Sequence, residues 1–346
     1  MIDHNKLRGE IVYKRTYSRP LNDEGSVFEE WEQTVDRVIE HQKWLWERAR
    51  DEELGEREHE ELAALRKLLL SRKSSVSGRT LWLGGTEVAQ TREASQFNCS
   101  GLRLETINDS VDQIWLLMQG CGVGFHPSVG ILNGFSTHIP EILVIRSELK
   151  EKRENVDENE ETFESGDWTI RVGDSAEAWA KAFGKLLAGK FNAKRLIFDL
   201  SNIRPSGERL KGYGWISSGD SSIAEALPAI AEILNKRAGQ LLTRLDLLDI
   251  GNWMGTVLSS RRSAEIAFHR FGDPQWEEFA QAKKDCAIDN PQRFQSNNSL
   301  LFHHQPSKLE LRGIFEMMLE AGGSEPGFIN AAEAERRAPW FKLLNP

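Results

Sequence analysis

Apolar residues recur at helical spacing through the first part of the chain. Phe28, Trp31, Val35, Val38 and Ile39 fall on one face over residues 28–50, with charged residues between them, which is the period of an amphipathic helix. Leu62, Leu65 and Leu69 repeat the pattern over 56–72. The spacing predicts a mainly helical N-terminal region over residues 1–75, interrupted at Ser74-Ser75-Val76-Ser77-Gly78 by serines and a glycine. Across residues 76–346, short apolar runs alternate with amphipathic stretches. Residues 142–145 and 196–200 read as strands, and 222–238 and 245–260 as helices; that alternation predicts an α/β architecture. Residues 148–168 depart from it with a dense mixed-charge run, from Glu148-Leu149-Lys150-Glu151 to Glu158-Asn159-Glu160-Glu161. A solvated hairpin or a mobile insertion is expected there.

Composition narrows this picture. The 346 residues are 39% hydrophobic and 28% charged, a globular balance with enough chain for a sizeable core. No apolar run approaches the ~20 residues needed to span a bilayer, and the first residues lack the apolar segment of an export signal, so no membrane role and a cytoplasmic location are expected. A net charge of −9 argues against a nucleic-acid surface but not against a nucleotide site, for which a few N–H groups suffice. Three cysteines, Cys99, Cys121 and Cys286, do not make a structural disulfide framework. The eleven tryptophans are explained by core packing.

Several short motifs invite chemistry. Gly120-Cys121-Gly122-Val123-Gly124-Phe125 follows an apolar helix; it is neither a dinucleotide fingerprint nor a P-loop, and a plain helix-to-strand turn is the simpler reading. Gly212-Tyr213-Gly214-Trp215-Ile216-Ser217-Ser218-Gly219-Asp220-Ser221 leads into a helix, where phosphate would meet hydroxyls and a helix N-terminus, or Ser221 or Ser222 would simply cap it. Cys99, in Gln96-Phe97-Asn98-Cys99-Ser100, is a redox thiol, a nucleophile or a small core residue. His59-Glu60-Glu61-Leu62-Ala63 lacks the second histidine of a zinc helix, and His303-His304 has no matching ligand cluster, so no metal is expected.

Taken in order, these pieces resemble the adenosylcobalamin-dependent (class II) ribonucleoside-triphosphate reductases. The series begins with Val12-Tyr13-Lys14-Arg15-Thr16-Tyr17-Ser18-Arg19 and Trp31 to Val38, and continues with Ser77-Gly78-Arg79-Thr80-Leu81-Trp82, Asn98-Cys99 and Gly122-Val123-Gly124-Phe125. It ends with Asp199-Leu200-Ser201-Asn202-Ile203-Arg204-Pro205, Arg261-Arg262-Ser263-Ala264-Glu265, Asn297-Asn298-Ser299 and Glu325-Pro326-Gly327. Each motif is weak alone; the order is specific. The resemblance implies the first half of a ten-stranded α/β barrel, preceded by a helical region. The chain ends Leu343-Leu344-Asn345-Pro346, and in the family Asn-Pro is followed at once by the radical cysteine and, two residues later, by a catalytic glutamate. A C-terminal half, joined by splicing around an intein or intron, supplied as a separate chain or lost by truncation, is therefore expected as the partner.

In the chemistry so implied, a thiyl radical removes the ribose 3′-hydrogen, the 2′-hydroxyl leaves as water, and two further thiols supply electrons and close to a disulfide. Cys99 would be one of those thiols, and Asn345 would hydrogen-bond the ribose hydroxyls. Ser77, Asn98 and Gly122 would line the substrate's sugar and phosphate site, with Ser217, Ser218 and Gly219. Asn108-Asp109-Ser110 resembles the element that binds a deoxynucleotide effector, and Gly212, Tyr213, Gly214 and Trp215 match a loop that reports effector identity. Adenosylcobalamin would be bound mainly outside this chain, and a thioredoxin-like protein would restore the thiols. Monomeric class II enzymes carry an insertion substituting for a dimer partner; the segment from Cys99 to Gly122 is short, so a homodimer is expected. Cys121 stands where relatives carry a small residue, often glycine, and reads as a chance substitution; the alternative is a Cys99–Cys121 disulfide under oxidation. The competing readings are a non-catalytic nucleotide-binding fragment and the equivalent half of a metal-radical class I reductase; a glycyl-radical enzyme fits the fold but not the motif order.

Overall fold

The computed structural model describes residues 4–22, 24–128, 132–136, 140–146, 157–189, 192–210, 213, 216–258 and 265–339. Two compact units emerge, one of residues 1–98 with 209–215 and one of 99–208 with 216–346.

The first unit is helical: α1 (His4–Thr16), α2 (Trp31–Arg50), α3 (Glu56–Leu70), α4 (Gly78–Leu83) and α5 (Glu87–Thr91). The apolar stripe of α2 buries Val35 and Val38 against Leu69 of α3 and Leu81 of α4. A reciprocal capping box between Glu30 and Gln33 starts α2, satisfying N–H groups that a helix end leaves open. Arg37 fastens α4 to α2: it donates to Leu81 O at 2.9 Å and to the carbonyl of Gly84, and is held by Glu29. Burial alone would raise the Glu29 carboxyl, but Arg37 keeps it below its ordinary range. Helices α4 and α5 carry the helical region past residue 75, and α4 packs onto α2.

The second unit is α/β. Its main sheet is five-stranded, wholly parallel and ordered β1-β2-β7-β8-β9, from β1 (Cys99–Leu104), β2 (Gly122–Pro127), β7 (Glu265–Arg270), β8 (Ser296–Phe302) and β9 (Gly327–Asn330). A second sheet, β3-β6-β5-β4, uses β3 (Glu141–Ile145), β4 (Glu160–Glu164), β5 (Asp167–Arg171) and β6 (Arg195–Asp199). The helices are α6 (Ile107–Met118), α7 (Ala176–Ala188), α8 (Ser221–Lys236), α9 (Arg244–Thr256), α10 (Trp276–Ala280), α11 (Cys286–Asp289), α12 (Lys308–Ala321) and α13 (Ala331–Arg337). The largest core joins Ile170, Leu196 and Phe198 of the second sheet to Phe183, Leu186, Leu227 and Ile230 of α7 and α8. Among the described residues, no helix is long and apolar enough to cross a membrane.

The described part of the charged run is the hairpin β4–β5, turned at Ser165-Gly166, with every residue of β4 exposed; 147–156 lie outside the described residues. One detail differs from the sequence expectation. The cap position of α8 is Asp220, not Ser221 or Ser222, with no side-chain cap bond; its carboxylate pairs instead with Arg146 at 2.8 Å.

Candidate functional site

Cys99 opens β1, an edge strand of the main sheet, in register with Gly122 of β2. Its thiol is exposed and not in a disulfide, whereas Cys121, likewise unbridged, is fully buried beside Leu117 and Val123. The helix-to-strand turn at Gly120–Gly122 therefore puts one sulfur outward at the sheet edge and shuts the other in. The Cys99–Cys121 disulfide is not formed.

Beside this edge, α6 begins with a capping box: Asp109 Oδ2 accepts from Glu105 N at 3.0 Å, Thr106 N at 2.7 Å and Thr106 Oγ1 at 2.8 Å. Asp109 thus has a structural task that the sequence did not reveal. Ser110 is buried, and its hydroxyl has no hydrogen-bond partner among the described residues. A cavity of about 500 Å³ opens at this helix start, lined by Thr106, Ile107, Asn108, Asn133, Ser136 and Leu187, among others. That volume falls in the range of small-molecule sites, and its lining mixes apolar walls with amide and hydroxyl groups.

Ser217 and Gly219 sit in the loop before α8. The Ser217 hydroxyl accepts from Gly219 N at 3.0 Å, and the Ser217 backbone bonds reciprocally to Gly207 and Glu208. Gly219 has φ +72, and a Cβ there would lie 2.7 Å from Ser206 N, so only glycine fits. Ser218 is half-buried. The segment Gly212–Gly219 is divided: Tyr213, whose carbonyl accepts from Arg19 at 3.3 Å, clusters with the helical unit, and Ser217–Gly219 with the α/β unit. Gly212, Gly214, Trp215 and Asn345 lie outside the described residues.

Within the helical unit, Ser77 caps α4 by accepting from Thr80 N at 3.1 Å. Asn98 accepts from Arg79 Nε at 3.4 Å, and Arg79 Nη1 donates to Ser95 O at 3.2 Å. Arg79 is 7% exposed; this buried cation beside Asn98 carried no weight in the sequence, although it stood inside a recognised motif. Glu265 was missed as well. It is 1% exposed, accepts from Gln113 Nε2 at 2.6 Å, and burial pushes its carboxyl up to about 8. The signal available was a carboxylate just before the apolar run Ile266-Ala267-Phe268.

Comparisons with known proteins point to one family. The ribonucleotide reductase alpha domain matches residues 2–86, and the B12-dependent ribonucleotide reductase insertion domain matches residues 146–234. The adenosylcobalamin-dependent ribonucleoside-triphosphate reductase of Lactobacillus gasseri is 31% identical over 93% of this chain and 48% of its own length. That of Lacticaseibacillus paracasei is 30% identical over 95% and 49%. A crystal structure of a B12-dependent (class II) ribonucleotide reductase superposes with a TM-score of 0.75 at 27% identity, covering 93% of this chain and 49% of that one. The chain spans about half the length of the curated relatives it matches. The insertion-domain match spans β4, β5, α7, β6 and most of α8, outside the Cys99–Gly122 segment. Over the residues it spans, the chain belongs to the B12-dependent (class II) ribonucleotide reductase family.

Proposed function

We propose that this chain is the substrate- and effector-binding half of an adenosylcobalamin-dependent ribonucleoside-triphosphate reductase. The observation that carries the reading is the exposed, free thiol of Cys99 at the edge of a five-stranded parallel sheet, in register with a glycine strand. In this reading the sheet is half of a ten-stranded barrel, and the C-terminal half brings the radical cysteine, its glutamate and the second electron-donating cysteine.

The net reaction balances as ribonucleotide plus two thiols giving deoxyribonucleotide, water and a disulfide. Cys99 is one of those thiols: its solvent-facing position suits attack on substrate-derived intermediates and later exchange with a thioredoxin-like reductant. Gly122 lets the nucleotide approach the backbone of β2. Asn98, steadied by Arg79, and Ser77 serve the sugar and phosphate, as do Ser217, Ser218 and Gly219. The α6 cavity takes the deoxynucleotide effector, with Asn108 offering its amide, Asp109 holding the Thr106 end of the helix and Ser110 following it; Gly212, Tyr213, Gly214 and Trp215 report its identity, and Asn345 holds the ribose. Adenosylcobalamin supplies radical initiation when bound. In this reading adenosylcobalamin is bound mainly by the C-terminal half. A match to the B12-type insertion domain favours this class over the metal-radical one.

The test mixes this chain with the C-terminal half, nucleoside triphosphate, dithiol and adenosylcobalamin. Deoxynucleotide is expected only from the mixture, and Cys99→Ser is expected to abolish turnover with dithiol while leaving assembly intact. Full turnover by the Cys99→Ser mixture would remove Cys99 from the mechanism.

A further inference from the structure

A buried polar pair joins α6 to the start of β7. Gln113 and Glu265 are 0% and 1% exposed, and their 2.6 Å bond links residues 152 positions apart. Glu265 Oε2 and Gln113 Oε1 have no hydrogen-bond partner among the described residues, nor have the two amide atoms of Asn252, fully buried on α9. Polar groups left so in a core call for an explanation. Helix α9 leaves room for the pair: a Cβ on Gly255 would stand 2.2 Å from Glu265 Oε2.

The position of the pair supplies the explanation. Gln113 follows Asp109 by four residues, one turn along α6, and so stands below the helix start that borders the cavity. Glu265 pairs across the sheet with Val123 of β2 on one side and Ser296 of β8 on the other. A single buried hydrogen bond thus connects the helix at the cavity to β7, the parallel neighbour of the strand that carries Gly122. We propose that Gln113 and Glu265 are positioning residues that transmit occupancy of the α6 cavity to β2 and β7, an inference that rests on reading that cavity as the effector site.

The carboxyl chemistry fits a link of this kind. Burial raises the Glu265 pKa to about 8, with the Gln113 bond opposing it, so the pair is neutral in the physiological range. Protonated, Glu265 carries a hydroxyl donor to match acceptors such as Gln113 Oε1; ionised, it has none. On the surrounding elements, α6 carries Asp109 and Asp112, α9 carries Arg244, Asp246 and Asp249, residues 291–295 carry Arg293, and α10 carries Glu277 and Glu278. Of these, Asp249 is paired with Arg293, Asp246 with Arg237, and Asp109 is engaged in its cap. Strand β8 has no ionisable residue, and β2 has only His126.

The test measures amide hydrogen exchange and deoxyadenosine triphosphate binding on the full chain assembled with its C-terminal half, for wild type, Gln113→Met and Glu265→Gln. Effector is expected to raise protection over 122–127 and 265–270 in wild type and Glu265→Gln. In Gln113→Met that response is expected to vanish while the effector Kd stays within about three-fold. The wild-type response is also expected to fade as pH rises through about 8, whereas that of Glu265→Gln, a mimic of the neutral acid, persists. Equal responses in wild type and Gln113→Met, or a wild-type response independent of pH, would overturn the link. If Gln113→Met does not fold, the pH comparison between wild type and Glu265→Gln decides. Failure of wild type to bind any deoxynucleoside triphosphate would overturn the effector reading itself, and the link with it.

Discussion

At the scale of single residues, exposure separates the three cysteines. Cys99 is exposed, while Cys121 and Cys286 are buried at 0% and 2%. A maleimide pulse on the native chain is expected to label Cys99 first, with the other two modified only after unfolding; mass mapping reads the order, and rapid native labelling of Cys121 would contradict this packing. Two buried titratable groups set opposite pH slopes. Glu265 binds its proton more tightly folded, at about 8, than at its ordinary 4.5, so its contribution is present at low pH and lost as pH rises through about 8. His126 behaves the other way: burial first, then His269 and Arg244, depress it from 6.5 to about 3. Its contribution is present above 6.5 and lost as pH falls towards 3. Each slope has a limit of ~1.4 kcal/mol per pH unit within its own window. Glu265→Gln is accordingly expected to flatten the fall in Tm from pH 6 to pH 8.5, and His126→Gln the fall below pH 6, both read by calorimetry.

At the scale of elements, hydrophobic period located most of the regular structure. The apolar spacing over 28–50 and 56–72 became α2 and α3, and the runs at 142–145 and 196–200 became β3 and β6. Strand order was not legible, since period reports which face is buried and not which strand lies alongside. Nor was the capping role of Asp109: a carboxylate three residues after Thr106 reads equally as a cap or a ligand until the backbone places it. Glu265 escaped for a related reason, because one charged residue at a strand entrance looks solvated unless both flanking strands are known. Cys99, by contrast, was singled out through motif order alone, and the structure adds its exposure. The loop before α8 offers a local test. Gly219→Ala would force a side chain into a left-handed conformation and against Ser206, for an expected loss of roughly 1–3 kcal/mol. Denaturant melts read that loss, and an unchanged midpoint would show that the loop relaxes freely.

At the scale of the whole molecule, the main sheet ends on both sides in open strands, β1 and β9, and unpaired strand edges invite association. Near β9, α12 presents Leu309 and Leu319, each 80% exposed, with Phe315 at 50% and Phe328 of β9 at 41%. Apolar exposure of that kind marks a surface suited to a partner. The chain alone is expected to self-associate, and the double substitution Leu309→Glu with Leu319→Glu is expected to shift it towards monomer without lowering Tm, as read by light scattering and thermal melts. Unchanged association would place the adhesive surface elsewhere.

The strand order also bears on how the chain reaches its fold. Strands β2 and β7 are neighbours, yet Val123 and its register partner Glu265 are separated by 142 positions (265 − 123), and the entire second sheet with α7 and α8 lies between them. Pairings that distant slow folding because the intervening chain must be gathered before any contact rewards it. If the intervening segment folds first, it acts as a compact bead. A five-fold shorter effective loop then lowers the closure cost of the β2–β7 pair by about 1.4 kcal/mol. The insertion would then serve the main sheet as an early-folding nucleus, and slowing its formation would delay the joining of two strands it does not itself belong to.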